Sequence, residues 1–573
     1  MRWLLAVAVL AFAFGAYVAA ESGGMGANAL ARSFAREWAA RDYRAMYEQL
    51  DPGTRARISL AHLETVLRSA GATATLISAR TAGSPRALGA DEFEVPIRAR
   101  TRMFGTLVLP YRVRIVSPEG ASAVAWGHSV AFPGLRPGEQ LTRTTNLPRR
   151  ATLLADDGSV LAESPPGAGG EEAGSRVSPL GEAAAAVLGT VGPVPAGRRS
   201  ELEAMGVPQQ GPVGLSGLEL AFDERLRGTP GGQLLAGSRV LASAEPHPAP
   251  PVHTSISPTL QQDTVDALGS QYGGVVLMRP SGQILAVAGI GLEGLQPPGS
   301  TFKMVTVSGV LTAHLASPHT VFPYATHATL DGVKLSNANG EECGGTLETA
   351  FAVSCNSVFS PLGVKLGAAR LVASAERLGF NSPTGIPGAP ESTLPRAGEI
   401  QGELDVGSTA IGQGSVLATP LQMATVAATI ADDGQRPQPT FLPQAQPPAR
   451  AGALSASVAS TVRRLMIGVV REGTGTAAAI PGVTVAGKTG TAELRSACST
   501  TDSAPQENSS GGEDQESCSA EEAQNTDAWF AAFAPALHPR LVVCVLMVKD
   551  GAGGATAAPV ARQVLEAGLR GGS

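Results

Sequence analysis

Lysine is scarce in this chain. Of 43 basic side chains only five are lysine, at 303, 334, 365, 488 and 549, and none occurs in the first 302 of 573 residues. A codon bias towards arginine accounts for the trend. Its consequence is useful, because a guanidinium stays charged in proteins whereas a lysine ammonium can be made to lose its proton. A lysine kept against the bias is therefore a candidate for a task that arginine cannot perform. Cysteine is scarce too, and five in a chain of this length are no disulfide framework. The eight histidines are scattered, with no H-E-x-x-H and no C-x-x-C. No metal is therefore expected, since closed zinc sites need clustered His and Cys, and no cofactor is expected. A net charge of −6 argues against a nucleic-acid partner. That charge is local: 495–526 holds seven acidic residues and one basic one, so the rest of the chain is balanced.

A chain of this length exceeds one core and implies several domains. Residues 1–20, "MRWLLAVAVLAFAFGAYVAA", carry one early positive charge and then an apolar run. The run is borderline for a bilayer span, which takes about 17–25 residues, and Val18-Ala19-Ala20 has the small residues of a signal-peptidase site. Anchor and cleaved signal both remain open, with the expected segment at 1–21. Each sends the following chain out of the cytoplasm. In "ANALARSFAREWAARDYRAMYEQL", Leu30, Phe34 and Trp38 stand four apart on one helical face. "ISLAHLETVLRSAG" reads as a second helix ended by Gly71. "EFEVPIRART", "GTLVLPYRVRIV" and "SAVAWGHSVAFP" read as antiparallel strands. Together these predict a small α+β domain over 25–140. "RRATLLADDGSVLAE" reads as a hairpin turning at Asp157-Gly158, and "PHPAPP" (246–251) as a stiff linker. From 253 onward strands and long helices alternate as one large domain.

The stretch "PGVTVAGKTGTAE" supports two incompatible readings. Gly482, Gly487, Lys488 and Thr489 fit G-x-x-x-x-G-K-[ST], a loop that wraps nucleotide phosphates. Lys488-Thr489-Gly490 is also the K-T-G triplet of enzymes that act on acyl groups. Context disfavours the nucleotide. The intervening Val-Thr-Val-Ala is strand chemistry, and seven carboxylates follow where a triphosphate would be repelled. The acyl-transfer reading needs a nucleophile and a base, and both are present. Ser300-Thr301-Phe302-Lys303 is the chain's single S-x-x-K, at the start of an apolar helical run. Residues three apart share a helix face, so the Lys303 amine can reach the Ser300 hydroxyl. A serine at a helix N-terminus also has its own N–H free for an oxyanion. Ser354-Cys355-Asn356 supplies S-x-N between two helical stretches.

The ordered set S-x-x-K, S-x-N, K-T-G resembles class B penicillin-binding proteins, the transpeptidases that cross-link peptidoglycan. "GLSGLELAFDERLRGTPG" resembles their signature ahead of the catalytic domain, and "WGHSVAFPGL" within 27–140 is similar to the nuclear-transport-factor-like domain of the methicillin-resistance type. The resemblance implies a multidomain α+β protein. A cone-shaped α+β domain (25–140) and a pedestal, dimerisation-like domain (141–252) would precede a penicillin-recognising transpeptidase domain (253–573). That last domain would combine an antiparallel sheet flanked by helices with an all-helical part, and 495–526 would be an acidic, exposed insertion. The resemblance further implies Ser300 as acylated nucleophile and Lys303 as its base. Ser354 and Lys488 would form a proton route, and Asn356 would hold Lys303 and a substrate carbonyl. Thr489 would meet the substrate carboxylate, with Gly490 and Thr491 on the substrate-binding strand and the Thr491 N–H in the oxyanion site. Gly487 and Gly490 suit an edge that a peptide approaches closely. Implied partners are peptidoglycan stem peptides, β-lactams and other cell-wall synthesis membrane proteins. A D,D-carboxypeptidase, a β-lactamase-type hydrolase and a non-enzymatic β-lactam sensor share these motifs and rank below the transpeptidase. Three departures stand out: Ala151 where glycine is usual, Asp432-Asp433-Gly434 in place of Asn-Gly, and the long acidic segment. Within that segment Cys498 and Cys518 are candidates for a bridge.

Overall fold

The computed structural model describes residues 26–118, 121–167, 174–443, 450–493 and 525–571. The apolar segment 1–20 lies outside them, as do Cys498 and Cys518. Among the described residues no single helix is long and apolar enough to cross a membrane.

At the N-terminal end, helices Ala27–Ala40 and Leu60–Thr73 lie on a five-stranded antiparallel sheet drawn from residues 76–125. The four-residue spacing of Leu30, Phe34 and Trp38 turns all three into the core. The strand Glu92–Thr101 alternates, so Phe93, Val95, Ile97 and Ala99 meet them. Two sequence expectations fail here. The second helix runs past Gly71 to Thr73 and ends where Thr75 turns left-handed at φ 53°. In "SAVAWGHSVAFP" only Ala123–Ala125 is strand, and His128–Val130 is a 3-10 turn. The apolar alternation there has another cause: Val130, Ala131 and Phe132 cap the core, Phe132 meeting Trp38 edge-on at 5.6 Å. The hairpin of Gly231–Ala236 and Arg239–Ala244 pairs with Leu141–Asn146 and sends Leu234 and Ala236 into this same core.

The middle of the chain is organised by a buried ionic cluster. Arg150 bonds Glu219 at 2.8 Å and Asp223 at 3.0 Å, Arg176 bonds Glu219 at 2.6 Å, and Arg227 lies 3.1 Å from Asp223. The short helices Gly217–Ala221 and Asp223–Leu226, broken at Phe222, supply both carboxylates and still bury Leu218, Phe222 and Leu226. The hairpin turning at Asp157-Gly158 forms as expected, Leu153–Leu154 against Val160–Ala162.

The C-terminal half is built on a five-stranded antiparallel sheet in the order Ile284–Gly289, Gly273–Met278, Leu541–Met547, Thr526–Ala534, Ala486–Glu493. Both faces are covered, which is why strands such as Gly273–Met278 and Leu541–Met547 read as unbroken apolar runs. Val275 and Leu277 face the layer of helices Pro258–Leu268 and Ala557–Arg570, while Val276 and Met278 face the large helical part. Trp529, Ala531 and Phe533 alternate in the same way with Ala528, Phe530 and Ala532. The helix Lys303–Thr312 runs through the middle of the helical part and is buried along all but its last residue. Glu493 pairs with Thr526. The acidic stretch is therefore the connection between these two neighbouring strands.

Candidate active site

Three separate pieces of chain converge beside the edge strand. The first is the 3-10 turn Gly299–Phe302, which feeds the helix beginning at Lys303. Gly299 has φ 50°, and a Cβ there would stand 2.5 Å from the Thr491 carbonyl oxygen. Only glycine allows the backbone before Ser300 to lie directly on the backbone of Thr491. Gly412 is required from the other side, since its Cβ would fall 2.1 Å from the Gly299 oxygen.

The second piece is the junction between helices Leu347–Ala352 and Asn356–Leu366. The first helix closes with Cys355 N–H on the Ala350 carbonyl and Ser354 N–H on Phe351. That bonding places Ser354 at the left-handed closing position, φ 62°, where helices ordinarily carry glycine. A side chain held there costs about 1–3 kcal/mol. Here the strained residue offers its hydroxyl to two lysines.

The third piece is the strand Ala486–Glu493 at the sheet edge. Lys488 lies in mid-strand, opposite Ala531, and no phosphate loop forms. The nucleotide reading fails because a strand in a sheet ladder cannot curl its N–H groups around phosphate. The glycines of this strand also have a different cause from the one expected. A Cβ on Gly487 would meet the Phe530 ring at 2.5 Å, and one on Gly490 would meet the Pro298 carbonyl at 2.8 Å. They admit the protein's own residues.

Lys303 Nζ is the hub. It stands 3.0 Å from Ser300 Oγ, 2.6 Å from the Ser354 carbonyl, 2.6 Å from Asn356 Oδ1 and 3.3 Å from Ser354 Oγ. Lys488 Nζ donates to Ser354 Oγ at 2.8 Å and to the Thr489 carbonyl at 3.0 Å. Both lysines are wholly buried. The Phe359 ring lies 5.7 Å from Lys303 Nζ and the Phe351 ring 5.6 Å from Lys488 Nζ. Among the described residues no carboxylate lies within ion-pair distance of either amine. Burial, and then the neighbouring charge of Lys488, push Lys303 well below the ordinary lysine range. Burial brings Lys488 down to about 7.

Geometry then assigns the protons. A neutral amine has two N–H groups and one lone pair. The Ser354 carbonyl and Asn356 Oδ1 can only accept, so they take both hydrogens. What remains is the lone pair, with the Ser300 hydroxyl 3.0 Å away. Thr489, nearly buried, shares a 2.5 Å contact with Thr474 Oγ1, and Thr491 Oγ1 accepts from the Gly553 N–H at 3.5 Å. Every predicted site residue thus falls in one cluster. Sequence reasoning missed Thr474, which bridges two motifs by holding Thr489 and donating its own N–H to the Ala352 carbonyl. No local pattern marks it, because its partners are 15 and 122 residues away. It also missed the disulfide Cys343–Cys355, whose second half is the middle residue of S-x-N.

Two family models match the chain. Residues 273–566 match the penicillin binding protein transpeptidase domain, and 159–239 the penicillin-binding protein dimerisation domain. Peptidoglycan D,D-transpeptidase PbpA of Mycolicibacterium smegmatis is 33% identical over 391 residues, spanning 56% of this chain and 73% of that protein. The D,D-transpeptidase domain of a peptidoglycan glycosyltransferase from Eggerthella lenta superposes with a TM-score of 0.56 at 30% identity, covering 74% of this chain and 98% of that one. PBPA from Mycobacterium tuberculosis, at 28% identity and a TM-score of 0.54, covers 74% of this chain and 98% of its own. The same protein has been solved as an imipenem acyl-enzyme.

Proposed function

The chain belongs to the penicillin-binding protein transpeptidase family, and from that premise we propose how its own residues carry out the serine D-Ala-D-Ala transpeptidase reaction. The observation that carries the proposal is the uncompensated burial of Lys303, with two carbonyl acceptors leaving its lone pair to Ser300. Ser300 Oγ attacks the carbonyl carbon of the penultimate D-Ala of a stem peptide, and its proton passes to Lys303. The N–H groups of Ser300 and Thr491 face the developing oxyanion, which the contact at Gly299 supports. The C–N bond breaks, and the terminal D-Ala amine leaves with a proton delivered through Ser354, between the two lysines. Thr489 receives the substrate carboxylate with Lys488 beside it, and Asn356 orients Lys303 and a substrate carbonyl. An amine from a neighbouring stem peptide then attacks the acyl-enzyme, the Ser300 ester bond breaks, and Oγ recovers a proton. A β-lactam acylates Ser300 in place of the stem peptide.

The N-terminal unit fits a nuclear-transport-factor-like domain, on the support of two helices laid over an antiparallel sheet. An extracytoplasmic site with an N-terminal anchor or signal is supported by the disulfide Cys343–Cys355, since such bonds persist in oxidising compartments. Other cell-wall synthesis proteins in the membrane are proposed as partners on the family resemblance alone. The test is intact-mass analysis with penicillin, followed by turnover of a D-Ala-D-Ala peptide with an amine acceptor. One adduct per chain at Ser300, absent in Ser300→Ala, and a cross-linked product are expected. Hydrolysis alone would identify a carboxypeptidase, adduct without turnover a sensor, and an adduct at another serine would overturn the assignment.

A further inference from the structure

The lone-pair arrangement at Lys303 depends on which way the Asn356 amide faces. Oxygen and nitrogen ends of a carboxamide have nearly the same shape, so something must select between them. Asn356 Nδ2 donates at 2.8 Å to the carbonyl of Ser336, which can only accept. That bond turns the oxygen end to Lys303. Ser336 ends the strand Val333–Ser336, far from the motifs in sequence, and Asn337 follows it. Asn337 is 6% exposed and uses every polar atom it has. Its Oδ1 accepts from the Ser357 N–H at 2.8 Å, and Nδ2 donates to the carbonyls of Ala325 at 2.7 Å and Glu341 at 2.8 Å. Its backbone N–H donates to Thr326 and its carbonyl accepts from Gly340. One side chain thus joins both ends of the 325–341 loop to the first turn of the helix that starts at Asn356. The disulfide Cys343–Cys355 ties the same two parts covalently.

We propose that Asn337 is a positioning residue for acyl transfer: by holding the Ser336 carbonyl against Asn356 Nδ2, it keeps Asn356 Oδ1 on Lys303 and the amine's lone pair on Ser300. It touches no reacting atom. The inference rests on the function proposed above and deepens it. If the hold fails, the amide turns and presents N–H groups to the amine. The lone pair is then drawn from Ser300, and the ammonium loses an acceptor. The groups facing Lys303 are Ser300 on its own turn, Ser354 and Asn356 from the helix junction and Lys488 from the edge strand, with no carboxylate among the described residues. A lost acceptor therefore disfavours the ammonium, and the pH limb moves to lower pH.

The test is the single-turnover rate constant for acylation by a fluorescent penicillin, measured across pH on the full chain. Asn337→Leu keeps the volume, adds no charge near Lys303 and removes both donors to the loop carbonyls. Asn337→Ser is the second variant, shorter and more tolerant of water, and the intact disulfide retains the loop in both. A rate constant is insensitive to the fraction unfolded. A plateau at least about tenfold slower, part of the contribution of a positioned base, together with an acid limb displaced to lower pH, is the expected result. An unchanged rate constant, or a slower one with the limb in its wild-type place, overturns the proposal and leaves Asn337 a structural residue. The functional reading fails separately, through a wild-type chain that gives no adduct at Ser300.

Discussion

Two buried clusters of charge in this molecule have opposite designs. Around Arg150, each guanidinium lies on a carboxylate of Glu219 or Asp223. Around Lys303, two amines share one hydroxyl and a set of carbonyls, with no carboxylate among the described residues. The first cluster compensates its charges and keeps them. The second leaves them uncompensated, so burial pushes Lys303 well below the ordinary lysine range and brings Lys488 down to about 7. Arginine suits the first, since burial lowers Arg176 and Arg227 but a guanidinium has far to fall before it loses charge. Lysine is required in the second. Of the five lysines that the composition bias left, two stand in this cluster.

The largest expected effect comes from forcing a permanent charge into the second cluster. Lys303→Arg should slow acylation of Ser300 by about 10³-fold or more at neutral pH, since a guanidinium cannot serve as base. Acylation kinetics with folding checked by circular dichroism measure it, and near-wild-type rates would remove the base role. The converse experiment breaks compensation in the first cluster. Arg150→Met leaves two carboxylates short of a partner and should cost about 3–5 kcal/mol of stability by denaturant titration. The acylation rate constant of the folded fraction should stay unchanged.

Lys488→Met sharpens the comparison by taking one charge from the uncompensated pair. In the folded chain Lys488 titrates at about 7, below its unfolded value, so between about 7 and about 10 the unfolded state binds more protons. Stability of the wild type therefore rises with pH through that window. The variant should be about 1–4 kcal/mol more stable at neutral pH and show a shallower rise, with only the contribution of Lys303 remaining. Removing the like charge also raises Lys303, so the acid limb of acylation should move up by up to about one pH unit. Lys488→Arg fills a site with no space for a larger, always-charged head, and should be costly where a fixed surface cation would tolerate it. The smallest effect concerns Ser354. Ser354→Gly should relieve the left-handed strain and stabilise the fold by about 1 kcal/mol. It also removes the hydroxyl between the lysines, so acyl transfer should weaken in the variant that melts higher.

Much of the site was legible because its chemistry is local. Ser300 and Lys303 are one helical turn apart, and each remaining motif is a tripeptide. Sheet strands were legible where the apolar pattern alternates, as in "EFEVPIRART" and "GTLVLPYRVRIV". The reading failed where an apolar pattern had another source. "SAVAWGHSVAFP" alternates because a loop caps a core, and Gly71 sits inside a helix because its backbone there is ordinary. The glycines of the edge strand were noticed for close approach, but the approaching groups are Phe530 and Pro298, which nothing near them in sequence announces.

The sequence by itself determined the chemistry available: one S-x-x-K, one S-x-N, one K-T-G and lysine retained at two of them. It also determined the unbroken apolar strands that are buried between two layers. Only the tertiary structure decided that these lysines are neutralisable, because a pKa depends on what surrounds an amine on every side. It brought Lys488 to Ser354 across 134 residues, set the Ser336 carbonyl on Asn356 across 20, and joined Cys343 to Cys355. Burial, the absence of a counter-ion and the facing of an amide are properties of a closed space, and no stretch of chain encloses one alone.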